Sequence, residues 1–182
     1  MNAIARRARG FTLIEMLVAM AIAAIVLTVA VPSFSDYMNK KRVEGVASEL
    51  STDIQFARSE AVARNVAVRI TFGTGCWVVH TVGSTATSCT QAAGATLGTG
   101  ATQLKDVQLA TNLDASLSPN NSLTYIAFDA VRAMATSNGS GTTHSVNVAS
   151  SAGSWQLRAA VSSVGRVQLC SPNSSMTGYA AC

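Results

Sequence analysis

Twenty-one consecutive residues, Phe11–Val31, carry a single charge. That run constrains the chain more than any other feature, because a helix of such length rises about 30 Å, the hydrocarbon thickness of a bilayer. Arg6, Arg7 and Arg9 stand just ahead of it, and Gly10 marks the junction. A basic start of this kind places the N-terminus on the cytoplasmic side and the remainder of the chain across the membrane. The one charge is Glu15, five residues past the glycine. An acid inside a span costs about 2.5–3.5 kcal/mol on insertion scales, so it marks a functional position with a partner. The rival is a general secretory signal cut late, near Thr28 and Ala30. Its apolar centre normally runs only about 7–15 residues and holds no acid.

Pro32 closes the span, and its missing N–H predicts a bend. The helix is expected to resume, since Val43, Val46, Ala47, Leu50, Ile54, Ala57 and Ala61 recur at spacings of three and four. Lys40, Lys41, Arg42, Glu44, Glu49, Asp53, Arg58, Glu60 and Arg64 fall on the other face, which therefore reads as solvated and of mixed charge. The expectation is one helix of some fifty residues, half in lipid and half laid on a sheet.

After Asn65 the period changes to two. Val66, Val68, Ile70 and Phe72 alternate with Ala67, Arg69 and Thr71, a half-buried strand. Further strands are expected at Trp77–Val82, Leu104–Leu109, Leu123–Phe128, Ser145–Val148, Trp155–Val161 and Arg166–Cys170. Gly/Ser/Thr/Ala-rich stretches, notably Gly83–Thr102 and Ser137–Ser154, read as loops or hairpin connections. The chain divides into a leader (1–10), a spanning half-helix (11–31), an amphipathic half-helix (32–64) and one β-rich head (65–182). The fold class is α+β, a long N-terminal helix packed on an antiparallel β head.

The net charge of +4 falls to about +1 once Arg6, Arg7 and Arg9 are removed, so the basic balance belongs mostly to the leader. Four cysteines lie in the head, an even number that suits an oxidising compartment. Three pairings are open. Cys76–Cys89 and Cys170–Cys182 are favoured, each closing a loop of about 13–14 residues worth about 3 kcal/mol in chain entropy. No Cys-x-x-Cys pair is present, which argues against a zinc site. His80 lies in an apolar strand and His144 in a Gly/Thr/Ser loop, neither beside a nucleophile or at ligand spacing. Asp106, Asp114 and Asp129 are too scattered to nominate a catalytic pair, and Gly73-Thr74-Gly75 and Gly98-Thr99-Gly100 lack the rest of a phosphate loop. No enzyme, metal or cofactor is expected.

Gly10-Phe11-Thr12-Leu13-Ile14-Glu15 resembles the prepilin signature of type IV pilins and type II secretion pseudopilins. The resemblance implies that a prepilin peptidase cuts Gly10–Phe11 and methylates the new amine of Phe11. It also implies that Glu15 pairs with the Phe11 amine of a neighbouring subunit during assembly. A buried carboxylate needs such a cation. The implied location is a bacterial inner membrane, crossed once, with the head in the periplasm and the subunit later drawn into a pilus or pseudopilus. Its partners are then other pilin or pseudopilin subunits and membrane lipid.

The head is similar to the GspH/FimT branch of minor pilins and pseudopilins. The residues that carry this are Ala57-Arg58-Ser59-Glu60-Ala61 running into Val68-Arg69-Ile70, the Cys76-Trp77-Val78-Val79 strand, Phe128-Asp129 before a turn, and Ser163-Val164-Gly165-Arg166-Val167-Gln168-Leu169-Cys170. Ala130-Val131-Arg132 stands where the family often has a glycine. Some relatives of this branch bind DNA through Gly-Arg-x-Arg. The chain offers Gly165-Arg166-Val167-Gln168, one cation and an amide on one face of a strand. The resemblance thus implies a subunit that primes or caps a pilus or pseudopilus. DNA uptake is the alternative, through Arg166, with Arg158, Arg132 and Lys105 as supplements.

Overall fold

The structure, a computed structural model, describes residues 10–91, 93–110, 115–120, 122–139, 143–151 and 154–182; side chains at 29–32 and 115 lie outside that set. Contacts separate two compact units, Met1–Met38 and Asn39–Cys182.

Helix α1 runs Leu13–Arg64. In the first unit its described apolar side chains, Leu13 to Leu27 among them, are exposed. It is long and apolar enough to cross a membrane. Helical conformation continues across Pro32 without a break. The bend expected there falls on positions 29–32, whose side chains lie outside the described residues. The C-terminus of α1 closes as a Schellman motif. Asn65 adopts φ 53°, its N–H donates to Val62 O, and Val66 N–H reaches Ala61 O. Asparagine tolerates that left-handed turn better than most side chains do.

The second unit holds two antiparallel sheets. Sheet I has the order β5-β2-β1-β7-β8, from β1 (Val68–Gly73), β2 (Cys76–Thr81), β5 (Gln103–Gln108), β7 (Tyr125–Phe128) and β8 (Ala135–Ser137). Sheet II has the order β11-β10-β9-β6, from β6 (Ala115–Pro119), β9 (Thr143–Ser150), β10 (Gln156–Ser162) and β11 (Val167–Cys170). A hairpin of β3 (Ser88–Thr90) and β4 (Gly94–Thr96) stands apart.

Val43, Val46, Ala47, Leu50, Ile54, Ala57 and Ala61 are buried, as their spacing requires. They share one core with Val68, Ile70, Phe72, Trp77 and Val79 of sheet I and Val146, Val148, Leu157, Ala159 and Val161 of sheet II. Alternation does the rest: Arg69 is half-buried on the far face of β1, and β9 and β10 alternate buried with partly exposed residues.

The far face of sheet I is covered at one corner by β3 and β4, where Cys76, Val78 and Cys89 form a second small cluster. Disulfides join Cys76 to Cys89 and Cys170 to Cys182. Gly73 is required beside the first of them. A Cβ there would lie 2.0 Å from the carbonyl oxygen of Cys89.

Two expectations need correction. Asp53 is not on a solvated face; it is 1 % exposed, and its carboxylate accepts Trp77 Nε1–H at 2.7 Å and Lys105 Nζ at 2.6 Å. Charge alone assigned it outward, whereas a buried indole N–H requires an acceptor and found one across the helix–sheet interface. The other concerns the strand inventory: β3 and β4 form a hairpin inside Gly83–Thr102, a stretch read as loops or hairpin connections, and neither was among the expected strands. Strands β6 and β8 also lie outside the expected segments.

Candidate functional site at the N-terminal junction and the outer sheet face

The junction is built by Thr12 and Glu15. Met16 N–H donates to Thr12 O, Glu15 N–H donates to Thr12 Oγ1 at 3.3 Å, and Thr12 N–H reaches back to Glu15 Oε2 at 3.5 Å. This is a capping box, in which two orphan amides of the first turn are satisfied reciprocally. A carboxylate at that end also meets the positive end of the helix dipole. Two consequences follow for the residues ahead of it. Gly10 and Phe11 stay outside the helix and exposed. The carboxylate of Glu15 is folded back toward the backbone amide of Thr12. The Thr-x-x-Glu signature was present in the sequence and signals a capped start. Arg6, Arg7 and Arg9 lie outside the described residues.

The outer face of sheet II carries the second cluster. Register sets Arg158 opposite Cys170 and Ala160 opposite Gln168, and Arg158 opposite Asn147 on the other side. Arg158 Nε donates to Asn147 Oδ1 at 2.8 Å, Asn147 Nδ2 to Asn120 Oδ1 at 2.9 Å, and Asn120 Nδ2 to Ser145 Oγ at 2.8 Å. Thr143, Ser145, Arg158, Gln168 and the Cys170–Cys182 disulfide line a shallow groove of about 370 Å³. Arg166 does not line it. Its backbone N–H meets Ser162 Oγ at 3.2 Å at the β10–β11 turn. Four residues separate it from Cys170 along one strand, roughly 13 Å from the level of Arg158. Arg166 lies one residue before β11, at the turn, so the two arginines stand apart. Lys105 cannot join them, being held by Asp53 and standing 3.6 Å from Glu49.

The two histidines are structural. Burial pushes His80 below the usual imidazole range, against a raising hydrogen bond to Thr81 O at 2.8 Å, and the charge of Arg69 lowers it further. Its Nε2 stands 2.9 Å from Thr71 Oγ1. His144 stands not in a loop but at a buried position of β9, where alternation turns it inward; burial lowers it too, and its Nδ1 lies 2.8 Å from Ser137 Oγ. Among the described residues no group of His, Cys, Asp and Glu is placed to hold a metal ion.

An anchor-length helix with a capped, acid-bearing start and a two-sheet antiparallel head define a type IV pilin-like fold. The solved structures agree. Two crystal forms of the type IV minor pilin FimU of Pseudomonas aeruginosa (strain PAO1) are similar to the chain. The P21 form is 16% identical with a TM-score of 0.54, covering 73% of this chain and 91% of that one. The P65 form is 18% identical with a TM-score of 0.51, covering 69% and 90%. Residues 46–165 match the family of the type II transport protein GspH, and residues 5–31 match the prokaryotic N-terminal methylation motif. The chain belongs to the GspH family of minor pilins and pseudopilins. No sequence among curated proteins matches it. Family and fold are those of structural pilins.

Proposed function

We propose that the chain is a membrane-anchored minor pilin or pseudopilin that primes or caps a type IV pilus or a type II secretion pseudopilus. The reading is carried by the junction. An unwound, exposed Gly10–Phe11 bond precedes a capped helix whose first-turn carboxylate faces back toward that bond. Prepilin peptidase cuts there and methylates Phe11, releasing the leader with its three arginines. The apolar half of α1 keeps the subunit in the inner membrane, with the head in the periplasm. Assembly moves that half from lipid into contact with other helices, and Glu15 sets register by pairing with the amine of a neighbour's Phe11. Domain limits follow this use: leader 1–10, span 11–31, helix 32–64 and head 65–182. Glu15→Ala is expected to leave membrane insertion and cleavage intact and to deplete the subunit from sheared filaments. Normal recovery of the variant in filaments would contradict the pairing.

DNA capture is the second reading, favoured by a groove on sheet II that holds Arg158 and no side-chain carboxylate, with Arg166 at the turn that leads into the neighbouring strand. Gel shifts with full-length protein in detergent test it across a salt series. Each of Arg158→Ala and Arg166→Ala is expected to weaken binding to single strands and to reduce the salt slope by about 0.7. Absence of any shift at low salt ends this reading.

A further inference from the structure

We propose that the end of the head made by the β7–β8 and β10–β11 turns is a docking surface for a second copy of this chain. That copy seats its Phe34–Asp36 stretch on it. The inference rests on the filament-subunit reading above and names one of its contacts.

The two turns lie side by side, since Ala135 N–H donates to Ser163 O at 2.8 Å. Both also sit on α1. A Cβ at Gly165 would lie 2.9 Å from Ala133 O and 3.0 Å from Arg58 Nε. Arg58, Val62 and Ala133 line a shallow cleft of about 340 Å³ at this place. Each turn then pushes a valine into solvent: Val131 is 82% exposed and Val164 60%, beside Val62 at 53%. Grouped aliphatic exposure with a polar rim is the mark of an interaction surface.

The rim is cationic. The guanidinium groups of Arg58, Arg132 and Arg166 make no hydrogen bond or ion pair among the described residues. Asp129 of the same turn is exposed, but its Oδ2 is occupied by the N–H groups of Val131 and Arg132, at 3.3 and 2.8 Å, so three guanidinium groups stand against one partly engaged carboxylate. Arginine around an apolar centre is the composition of a protein interface. Neither turn carries an aromatic ring of the kind on which single-stranded nucleic acid stacks. The surface therefore fits a protein segment that brings a carboxylate and apolar area together.

The chain supplies such a segment. Phe34 is exposed, and Asp36 has no hydrogen bond or ion pair among the described residues. The other described acids are engaged: Glu15 at the helix start, Glu44 with Lys41, Glu49 and Asp53 with Lys105, Glu60 with Arg64, and Asp106 with Gln108. Because segment and patch are different surfaces, their contact is heterologous. Such contacts repeat into open helical assemblies unless the rotation closes a ring.

The test places the photo-crosslinker p-benzoylphenylalanine at Val131 in the full-length protein, in membranes that carry the assembly machinery. The expected adduct is a homodimer whose cross-link maps by mass spectrometry to residues 33–38 of the second copy. Asp36→Arg and Arg132→Asp are each expected to cut its yield roughly tenfold, since like charges are then juxtaposed. The double exchange is expected to restore it to within about twofold. No adduct, an adduct elsewhere on the second copy, on a different protein or on nucleic acid, or a double exchange that fails to restore, overturns the docking. If the subunit is still recovered in sheared filaments, the docking alone has failed. If it is absent from filaments without the crosslinker, the underlying reading has failed with it.

Discussion

Removing the carboxylate of Asp53 is expected to destabilise the head by about 3 kcal/mol. Asp53 stands in the middle of the helix face that meets sheet I and joins three elements, α1, β2 and β5, through Trp77 and Lys105. In Asp53→Ala the indole N–H of fully buried Trp77 loses its acceptor, which costs about 1–3 kcal/mol. Lys105 also loses its 2.6 Å partner, but its side chain is 38% exposed and keeps Glu49 within 3.6 Å. Solvent limits that second loss to about 1 kcal/mol or less. For a unit of this size about 3 kcal/mol corresponds to a fall in Tm of roughly 10–15 °C. Lys105→Met tests the other side of the pair. It strands a buried carboxylate, and breaking a buried pair in this way costs about 3–5 kcal/mol. Asp53→Asn keeps an acceptor for Trp77 and is the milder change. The assay is thermal unfolding of the full-length protein in detergent, followed by circular dichroism under oxidising conditions. Combining Asp53→Asn with Lys105→Met should cost less than the sum of the single changes, because the neutral amide no longer needs the ammonium. Asp53→Ala within about 0.5 kcal/mol of wild type, or a strictly additive cycle, would refute the reasoning.

Acid sensitivity follows from the histidines. Both are held below their unfolded value of about 6.5, so on acidification the unfolded chain takes up the protons first. Stability is full above about pH 6.5 and falls below it, by at most about 1.4 kcal/mol per pH unit for each histidine. Tm measured from pH 7.5 to 5 should drop, and His80→Gln should flatten the profile; a flat wild-type profile would contradict the assignment. Lys105 is raised, chiefly by its hydrogen bond to Asp53. Its contribution is complete below about pH 10.5 and disappears only as pH rises through the folded value, outside that window. Gly165→Ala is expected to cost about 1–3 kcal/mol, because φ is +75° and the new Cβ would press on the Ala133 carbonyl. An unchanged Tm would show that the two turns are not in contact there.

The long helix and seven of the strands were legible because period carries them. The stripe from Val43 to Ala61 reads directly as a buried face, and Val68-Arg69-Ile70 as alternation. Strands β3, β4, β6 and β8 were not legible, since segments such as Ser88–Thr90 and Ala135–Ser137 are three residues long and small or polar. They exist through pairing with neighbours, a tertiary effect that no local pattern records. The junction was legible in its residues, yet the reciprocal cap between Thr12 and Glu15 required the Thr-x-x-Glu spacing to be read as helix chemistry. Asp53 was misplaced because a charged residue is expected outside unless its partner is known, and Trp77 and Lys105 lie 24 and 52 residues away. The cationic end surface was hidden for the same reason. Arg58, Arg132 and Arg166 come from three distant segments that only the fold brings together.

One core runs from Val43 on α1 to Val161 on β10 and Met176 beyond it. The helix leaves the ribosome first, yet its greasy stripe is roofed only after more than a hundred further residues have been made. Until then the newborn chain exposes that stripe, and a holdase or the membrane surface itself must shelter it. Closure of this core therefore waits on the last strands, and slowing translation after β2 should expose the helix to proteases.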